Sequence, residues 1–251
     1  MLELQNLSRH FGGVKAVDSL NLTVRQGEIL GLIGPNGSGK STTVNLITGV
    51  FQPTAGSVTF KGRDISPLQP HQRCELGLAR TFQNIRLFGH LTVWQNLWAA
   101  RVVRQPGWAG FRQRWLSGAA AAREEAELLL EFGDLAHKRD MLAGNLAFGE
   151  QRRLELIRAA ASGAELLLLD EPAAGMNAEE IEDLDNRIRS LRDQGRTILL
   201  IEHHMELVME VCDRVAVLNF GRKIAEGTPA QVQADAQVRA AYLGTDEPAA
   251  A

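Results

Sequence analysis

Tyrosine and cysteine are almost absent from this chain: its 251 residues include one Tyr and two Cys. The cysteines, Cys74 and Cys212, lie far apart and form no metal-ligand spacing, so a reducing, cytoplasmic compartment fits. Neither sign of charge dominates, with 27 Lys+Arg against 30 Asp+Glu and a formal net charge of −3. That balance gives no global argument for nucleic acid. Long hydrophobic runs are missing too. Ile29–Ile33, Leu166–Leu169 and Ile198–Ile201 fall far below the roughly 18 residues of a spanning helix, which excludes direct insertion into a membrane. No basic stretch followed by an apolar one opens the chain, so export by that route is not expected. What the chain has in excess is glycine, 24 residues against the single tyrosine. Glycine concentrates where backbone must approach something closely, so its placement directs the reading. The remaining composition, 45% hydrophobic and 23% charged, is that of a globular domain. The length allows one large domain or two lobes with a sizeable core.

The first sixty or so residues read as short strands and turns. Leu20, Leu22 and Val24 alternate with polar residues, as a half-buried strand does. Gln26-Gly27 is a turn, and Glu28–Ile33 is an apolar run of the kind that forms a buried parallel strand. Residues 41–50 have helical character, and Ser57–Lys61 with the Gly62 turn make a further β region. Near residue 84 the pattern changes. Leu91, Val93, Trp94, Leu97 and Trp98 suit one amphipathic helix, and Ala119–Phe132 and Gln151–Ala161 suit two more. Strand character returns at Leu166–Leu169, Thr197–Ile201 and Val215–Leu218, with Ile181, Leu184, Ile188 and Leu191 at helical spacing between. Strands alternating with helices imply an α/β domain with a parallel core sheet. The stretch 84–161 is then a helical insertion, and Thr245–Ala251 is a frayed tail.

Two features carry chemistry. The run Gly34-Pro-Asn-Gly-Ser-Gly39-Lys40-Ser41 fits the phosphate-loop pattern, after a predicted strand and before a predicted helix, which is the context the motif needs. Its backbone N–H groups, with the helix N-terminus, can cradle phosphate oxygens. Asn36, Gly37, Ser38, Gly39, Lys40, Ser41 and Thr42 are the candidate nucleotide-binding residues, Lys40 for the β- and γ-phosphates and Ser41 for Mg²⁺. The second feature is the strand Leu166-Leu-Leu-Leu-Asp170-Glu171. A carboxylate at the C-terminal end of a parallel core strand lies where ligands bind in open α/β sheets. Asp170 is the candidate Mg²⁺ ligand and Glu171 the candidate general base for an attacking water.

With these residues the chain resembles an ABC-type ATPase over residues 1–244. Further motifs agree in chain order. Gln83, after Arg80-Thr81-Phe82, resembles the glutamine that senses Mg²⁺ and the attacking water. Leu146-Ala147-Phe148-Gly149-Glu150 resembles the signature motif. Ala173-Ala174-Gly175-Met176-Asn177 resembles the D-loop, and His203 resembles the switch histidine that contacts the γ-phosphate. Phe11 stands where the family keeps an aromatic that stacks on adenine, with packing inside the β region as the alternative; Val17 could pack beside the nucleoside. The signature departs from Leu-Ser-Gly-Gly-Gln, because Ala147 replaces the serine, Phe148 a glycine and Glu150 the glutamine.

The resemblance implies a P-loop NTPase of ABC type, with a RecA-like parallel-sheet core and an antiparallel β subdomain (1–83 and 162–244) and an inserted helical subdomain (84–161). It implies ATP and Mg²⁺ as ligands. It also implies a second ATPase subunit that sandwiches ATP head to tail, integral membrane permease subunits and, indirectly, an extracytoplasmic solute-binding protein. No nucleic-acid partner is expected. The place is the cytoplasmic side of the plasma membrane, as a peripheral subunit. The runs from Asn145, from Asp170 and from Ile201 resemble one of the two ATPase subunits of branched-chain amino acid importers, and the ending Ala241-Tyr-Leu-Gly244 agrees. Relatives serving urea or amide import, or lipopolysaccharide export, share much of this pattern. A soluble ABC ATPase acting on nucleic acid or ribosomes is the more distant alternative. His204 departs from the aspartate usual in this branch. The stretch 94–115 holds all four tryptophans with Arg101, Arg104, Arg112 and Arg114. It reads as a segment on the membrane-facing side near the permease, or as an insertion whose tryptophans pack on the helical lobe.

Overall fold

A computed structural model describes residues 1–100 and 119–243. Two sheets organise it. The first is four-stranded, in the order β2-β1-β4-β5, and antiparallel. Its strands are β1 (Leu2–Phe11), β2 (Val14–Val24), β4 (Ala55–Phe60) and β5 (Arg63–Asp64). The second is six-stranded, in the order β10-β9-β3-β8-β7-β6. It holds β3 (Ile29–Ile33), β6 (Leu78–Arg80), β7 (Leu166–Asp170), β8 (Thr197–Ile201), β9 (Arg214–Asn219) and β10 (Arg222–Gly227). All its pairings are parallel except that of β10 with β9.

Every residue of β3, β7 and β8 is buried. This is why a run of leucines, good helix formers in isolation, forms a strand in β7. A parallel strand covered on both faces removes each leucine from water, worth about 1.5–3 kcal/mol apiece. The register aligns the strand ends, with Leu32 opposite Ile201 and Asp170 opposite Ile201. The segments that follow β3, β7 and β8 therefore leave the sheet at one edge, where the phosphate loop, Glu171 and His203 all lie.

The helices are α1 (Lys40–Ile47), α2 (Pro70–Glu75), α3 (Val93–Ala100), α4 (Ala119–Phe132), α5 (Phe148–Ala161) and α6 (Ala178–Asp193), followed by α7 (Met205–Val211), α8 (Pro229–Ala234) and α9 (Ala236–Leu243). Leu184, Ile188 and Leu191 of α6 face the sheet with Ile33, Leu167 and Leu200. Asn177 caps that helix, accepting the Glu180 N–H at 3.0 Å while Glu180 accepts the Asn177 N–H at 2.9 Å. Val93 and Leu97 from α3, Leu130 from α4, and Leu154 and Ile157 from α5 form a separate apolar cluster. Among the described residues no helix is long and apolar enough to cross a membrane.

Three details differ from the sequence reading. Helix α5 starts at Phe148 instead of Gln151, so the signature segment is its first turn. Leu91 precedes α3. The elements β6 and α2 carry too few residues for a periodic signal, and the edge strand β10, Arg222-Lys-Ile-Ala-Glu-Gly227, has no fully buried residue and no apolar alternation to mark it.

Candidate functional site

Strand β3 runs into Gly34 and α1 begins at Lys40, so the glycine-rich segment is a strand-to-helix loop. Gly39 holds φ +104°, and a Cβ there would stand 2.5 Å from the Ala16 carbonyl oxygen. No other residue fits this turn. The Ser38 hydroxyl is buried with no hydrogen-bond partner. A buried polar atom left unmatched in a cradle of backbone N–H groups is what an anion-binding loop presents before its anion arrives. Lys40 is 7% exposed. Its Nζ donates to the carbonyls of Gly34 at 2.6 Å and Pro35 at 3.1 Å. Burial pulls its pKa down, and the charges of Glu171 and Asp170 oppose that pull. A cavity of about 400 Å³ follows the loop from Asn36 through Thr42 and is closed by Val14, Ala16, Gln83, Glu171 and Phe220.

Carboxylates meet this loop from β7. Asp170 is 5% exposed. Its Oδ2 accepts a hydrogen bond from Arg80 Nη2 at 2.7 Å, and Arg80 Nη1 donates to Asn45 Oδ1 of α1 at 2.6 Å. Arg80 thus joins the acidic strand end to the helix behind the phosphate loop. Glu171 sits at φ +49°, a backbone region costly for a side chain of this kind. Its N–H donates to the Ile201 carbonyl at 2.8 Å. Gln83 Nε2 donates to Glu171 Oε2 at 2.8 Å, and His203 Nδ1 lies 3.8 Å from the same oxygen. Lys40, Ser41, Gln83 and Glu171 therefore line one cavity, and His203 reaches it through Glu171. The arrangement offers an anion cradle, a buried cation and a carboxylate held by an amide. It can bind a polyphosphate and take a proton from a water at its end.

A family profile described as ABC transporter matches residues 17–174. The chain belongs to the ABC transporter family. A second profile, described as branched-chain amino acid ATP-binding cassette transporter, matches residues 222–248. The high-affinity branched-chain amino acid transport ATP-binding protein LivG of Salmonella typhimurium is 42% identical, covering 97% of this chain and 98% of its own. BraF of Pseudomonas aeruginosa, with the same description, is 41% identical, with the same two coverages. Among solved structures, the ADP conformation of MJ1267, an ATP-binding cassette of an ABC transporter, superposes with a TM-score of 0.85 at 33% identity. That match covers 97% of this chain and 98% of the other. The chain is a nucleotide-binding ABC cassette.

The remaining motifs of the cassette lie apart from its own phosphate loop. Ala147 is the residue before α5, and Phe148, Gly149 and Glu150 form the first turn. Glu150 accepts the Ala147 N–H at 3.0 Å and the Lys138 ammonium at 2.5 Å. The bond from Lys138 is the main reason its carboxyl titrates below the usual range. The Phe148 ring, 48% exposed, lies over Gly175 of the D-loop, where a Cβ would come within 3.0 Å of it. Arg152 on the same helix donates to the carbonyls of Phe82 at 3.2 Å and Gln83 at 2.7 Å. The signature helix is thereby fastened to the segment carrying Gln83.

Two nucleoside-side expectations fare differently. Phe11 is 41% exposed. Its ring packs edge-to-face on that of Phe51, with centroids 5.4 Å apart, and the Arg9 guanidinium lies 4.6 Å from the ring centroid. Val17 is fully enclosed in the core beneath the sheets, so its side chain does not pack beside a nucleoside. Register shifts between β1 and β2 turn Val17 inward, and Val14 and Ala16 face the cavity instead. His204 directly precedes α7, with its ring 4.6 Å from that of His203. The rings of Trp94 and Trp98 stack at 5.2 Å. Trp108, Trp115, Arg101, Arg104, Arg112 and Arg114 lie outside the described residues, as does the tail from residue 244.

Sequence reasoning passed over Arg80, Asn45 and Arg152 as site residues. Their partners lie tens of residues away in the chain, so no local pattern points to them. Tyr242, the lone tyrosine, packs by the phosphate loop. Burial raises its pKa and the Gly34 backbone opposes the rise.

Proposed function

We propose that this chain is the ATP-hydrolysing motor of a membrane importer for branched-chain or other hydrophobic amino acids. The observation that carries the enzymatic part is the meeting of Gln83 and His203 on one carboxylate, Glu171, at the end of the phosphate-loop cavity. The cargo is supported by the descriptions of LivG and BraF and by the profile matched at residues 222–248.

In this reading Asn36 to Thr42 wrap the phosphates of ATP, and Lys40 exchanges its bonds to Gly34 and Pro35 for phosphate oxygens. Ser41, Gln83 and Asp170 offer a hydroxyl, an amide and a carboxylate, the hard oxygen donors that suit Mg²⁺. Mg²⁺, when bound, supplies positive charge to the phosphate oxygens. Glu171 takes the proton of the attacking water, oriented by Gln83, and His203 steadies the γ-phosphate. Phe11 stacks on adenine.

The signature residues Ala147, Phe148, Gly149 and Glu150 complete the ATP site of a second, head-to-tail ATPase subunit. A hydrogen bond to a charged group is worth about 1.5–3 kcal/mol, so Ala147, with no hydroxyl, weakens that composite site. Residues 84–161 act as a helical arm, and the groove by Gln83–Phe88 receives the permease on the cytoplasmic face of the membrane. A solute-binding protein outside delivers cargo to the permease and never touches this chain. Glu171→Gln tests the scheme. It should keep ATP binding, abolish turnover and accumulate a nucleotide-bound dimer. Full residual hydrolysis overturns Glu171 as the base. Copurification of the permease, and stimulation of turnover by a branched-chain amino acid in the reconstituted complex, test the cargo.

A further inference from the structure

We infer that Glu202 is a positioning residue, whose buried carboxylate ties the segment carrying Glu171 to the segment carrying His203 and so sets those two side chains against each other. The inference rests on the reading of Glu171 and His203 as groups that act on ATP and water.

Glu202 is the first residue after β8, and it is fully buried. A carboxylate taken wholly out of water persists only when its oxygens are matched by donors. Here the donors come from two different chain segments. Oε1 accepts the backbone N–H of Ala173 at 2.8 Å. Oε2 accepts the N–H of His203 at 3.1 Å and, at the long limit of 3.5 Å, that of His204. Ala173 follows Glu171 by two positions and opens the D-loop. One side chain thus holds both strand ends at the site.

The need for such a tie lies in Glu171. A glutamate at φ +49° keeps that conformation only where its surroundings over-determine it. The Ile201 carbonyl takes its N–H from one side at 2.8 Å, and Glu202 takes the next N–H along the chain, that of Ala173, because Pro172 has none. His203 Nδ1 lies 3.8 Å from both Glu171 Oε2 and Glu202 Oε2, so the imidazole sits between the two carboxylates while its backbone is pinned by one of them. A glutamine cannot replace Glu202 in this role. Its single oxygen can serve Ala173 or His203, and its NH₂ group faces the N–H of the other.

The test uses the full-length chain with Mg²⁺ and ATP and the variants E202Q, H203A and E202Q/H203A. ATP affinity is read with a fluorescent ATP analogue, turnover as kcat and KM, and folding by thermal melting. E202Q is expected to lose at least ten-fold in kcat with ATP affinity changed less than three-fold. The double variant should lose less than the product of the two single losses, because part of what Glu202 does is to place His203. Wild-type kcat in E202Q beside an impaired H203A overturns the proposal alone, as do losses that multiply in the double variant. Wild-type turnover in H203A overturns the reading of His203 and this proposal with it. Where E202Q does not fold, E202D serves, since it keeps both acceptor oxygens on a side chain one methylene shorter. It should lose more than five-fold in kcat at unchanged ATP affinity, and unchanged kcat overturns the proposal.

Discussion

Replacing Arg73 by methionine should destabilise the chain more than any comparable change on its surface, although Arg73 touches no part of the nucleotide cavity. Arg73 is 1% exposed. Its guanidinium donates to Leu46 O at 2.6 Å, Ile47 O at 2.8 Å, Ser66 O at 2.8 Å and Leu68 O at 3.0 Å. Leu46 and Ile47 are the last residues of α1, whose carbonyls have no partner inside their own helix. Arg73 caps the helix that begins with Lys40. Burial pulls its pKa down, opposed by Asp64, so part of the gain from these bonds is spent on desolvation. Losing the guanidinium leaves these carbonyls without their donor; an unsatisfied buried group costs about 1–3 kcal/mol, and with water reaching some of them the total is about 3–5 kcal/mol. At about 2–4 °C per kcal/mol for a chain of this size, the melting temperature should fall by about 6–20 °C. Differential scanning calorimetry without nucleotide measures it. Arg73→Lys should recover only part, because an ammonium lacks the planar fork that reaches several carbonyls. A methionine variant melting within about 2 °C of the parent would refute the reasoning. It would mean that water or a shifted loop satisfies those carbonyls.

Arg80→Gln leaves the Asp170 carboxylate buried without its charge partner and should cost about 3–5 kcal/mol in the nucleotide-free chain. Mg²⁺ with ATP should then raise the melting temperature more in this variant than in the parent, since Mg²⁺ restores positive charge beside the same carboxylate; equal shifts would contradict the assignment. The Lys138–Glu150 pair should show its contribution as a pH dependence. The folded carboxyl of Glu150 titrates below its ordinary 4.5. Its stabilisation is therefore present above that value and is lost as pH falls through the lower folded one. Lys138→Met should melt about 2–4 °C below the parent at neutral pH, for a pair worth about 1 kcal/mol. That gap should narrow on acidification below 4.5, and a gap constant from pH 7 to 3 would exclude this pair as the source.

What could be read from the sequence, and what could not, follows the range over which each feature is encoded. The phosphate loop is local: glycines at fixed offsets impose a backbone path, and a Cβ at Gly39 would strike Ala16 whatever else the chain does. The leucine run of β7 and the periodic face of α6 are local too, because burial on two faces or on one stripe is written directly into composition and spacing. Val17 shows where that logic stops. Its place beside a nucleoside comes from position in a resembling family, which carries no register, and shifts between β1 and β2 turn the side chain inward. Arg73, Arg80 and Glu202 mark a further limit. Each binds groups remote in the chain, and Arg73 and Glu202 bind backbone atoms that every residue possesses. No pattern of side-chain types can announce a partner that is a carbonyl or an amide. Such residues are found by asking, in the folded chain, where each buried charge finds its donors and acceptors. In this cassette the answer leads each time to a segment that holds the proposed site residues in place: α1 behind Lys40, β7 at Asp170, and the two strand ends that bring Glu171 to His203.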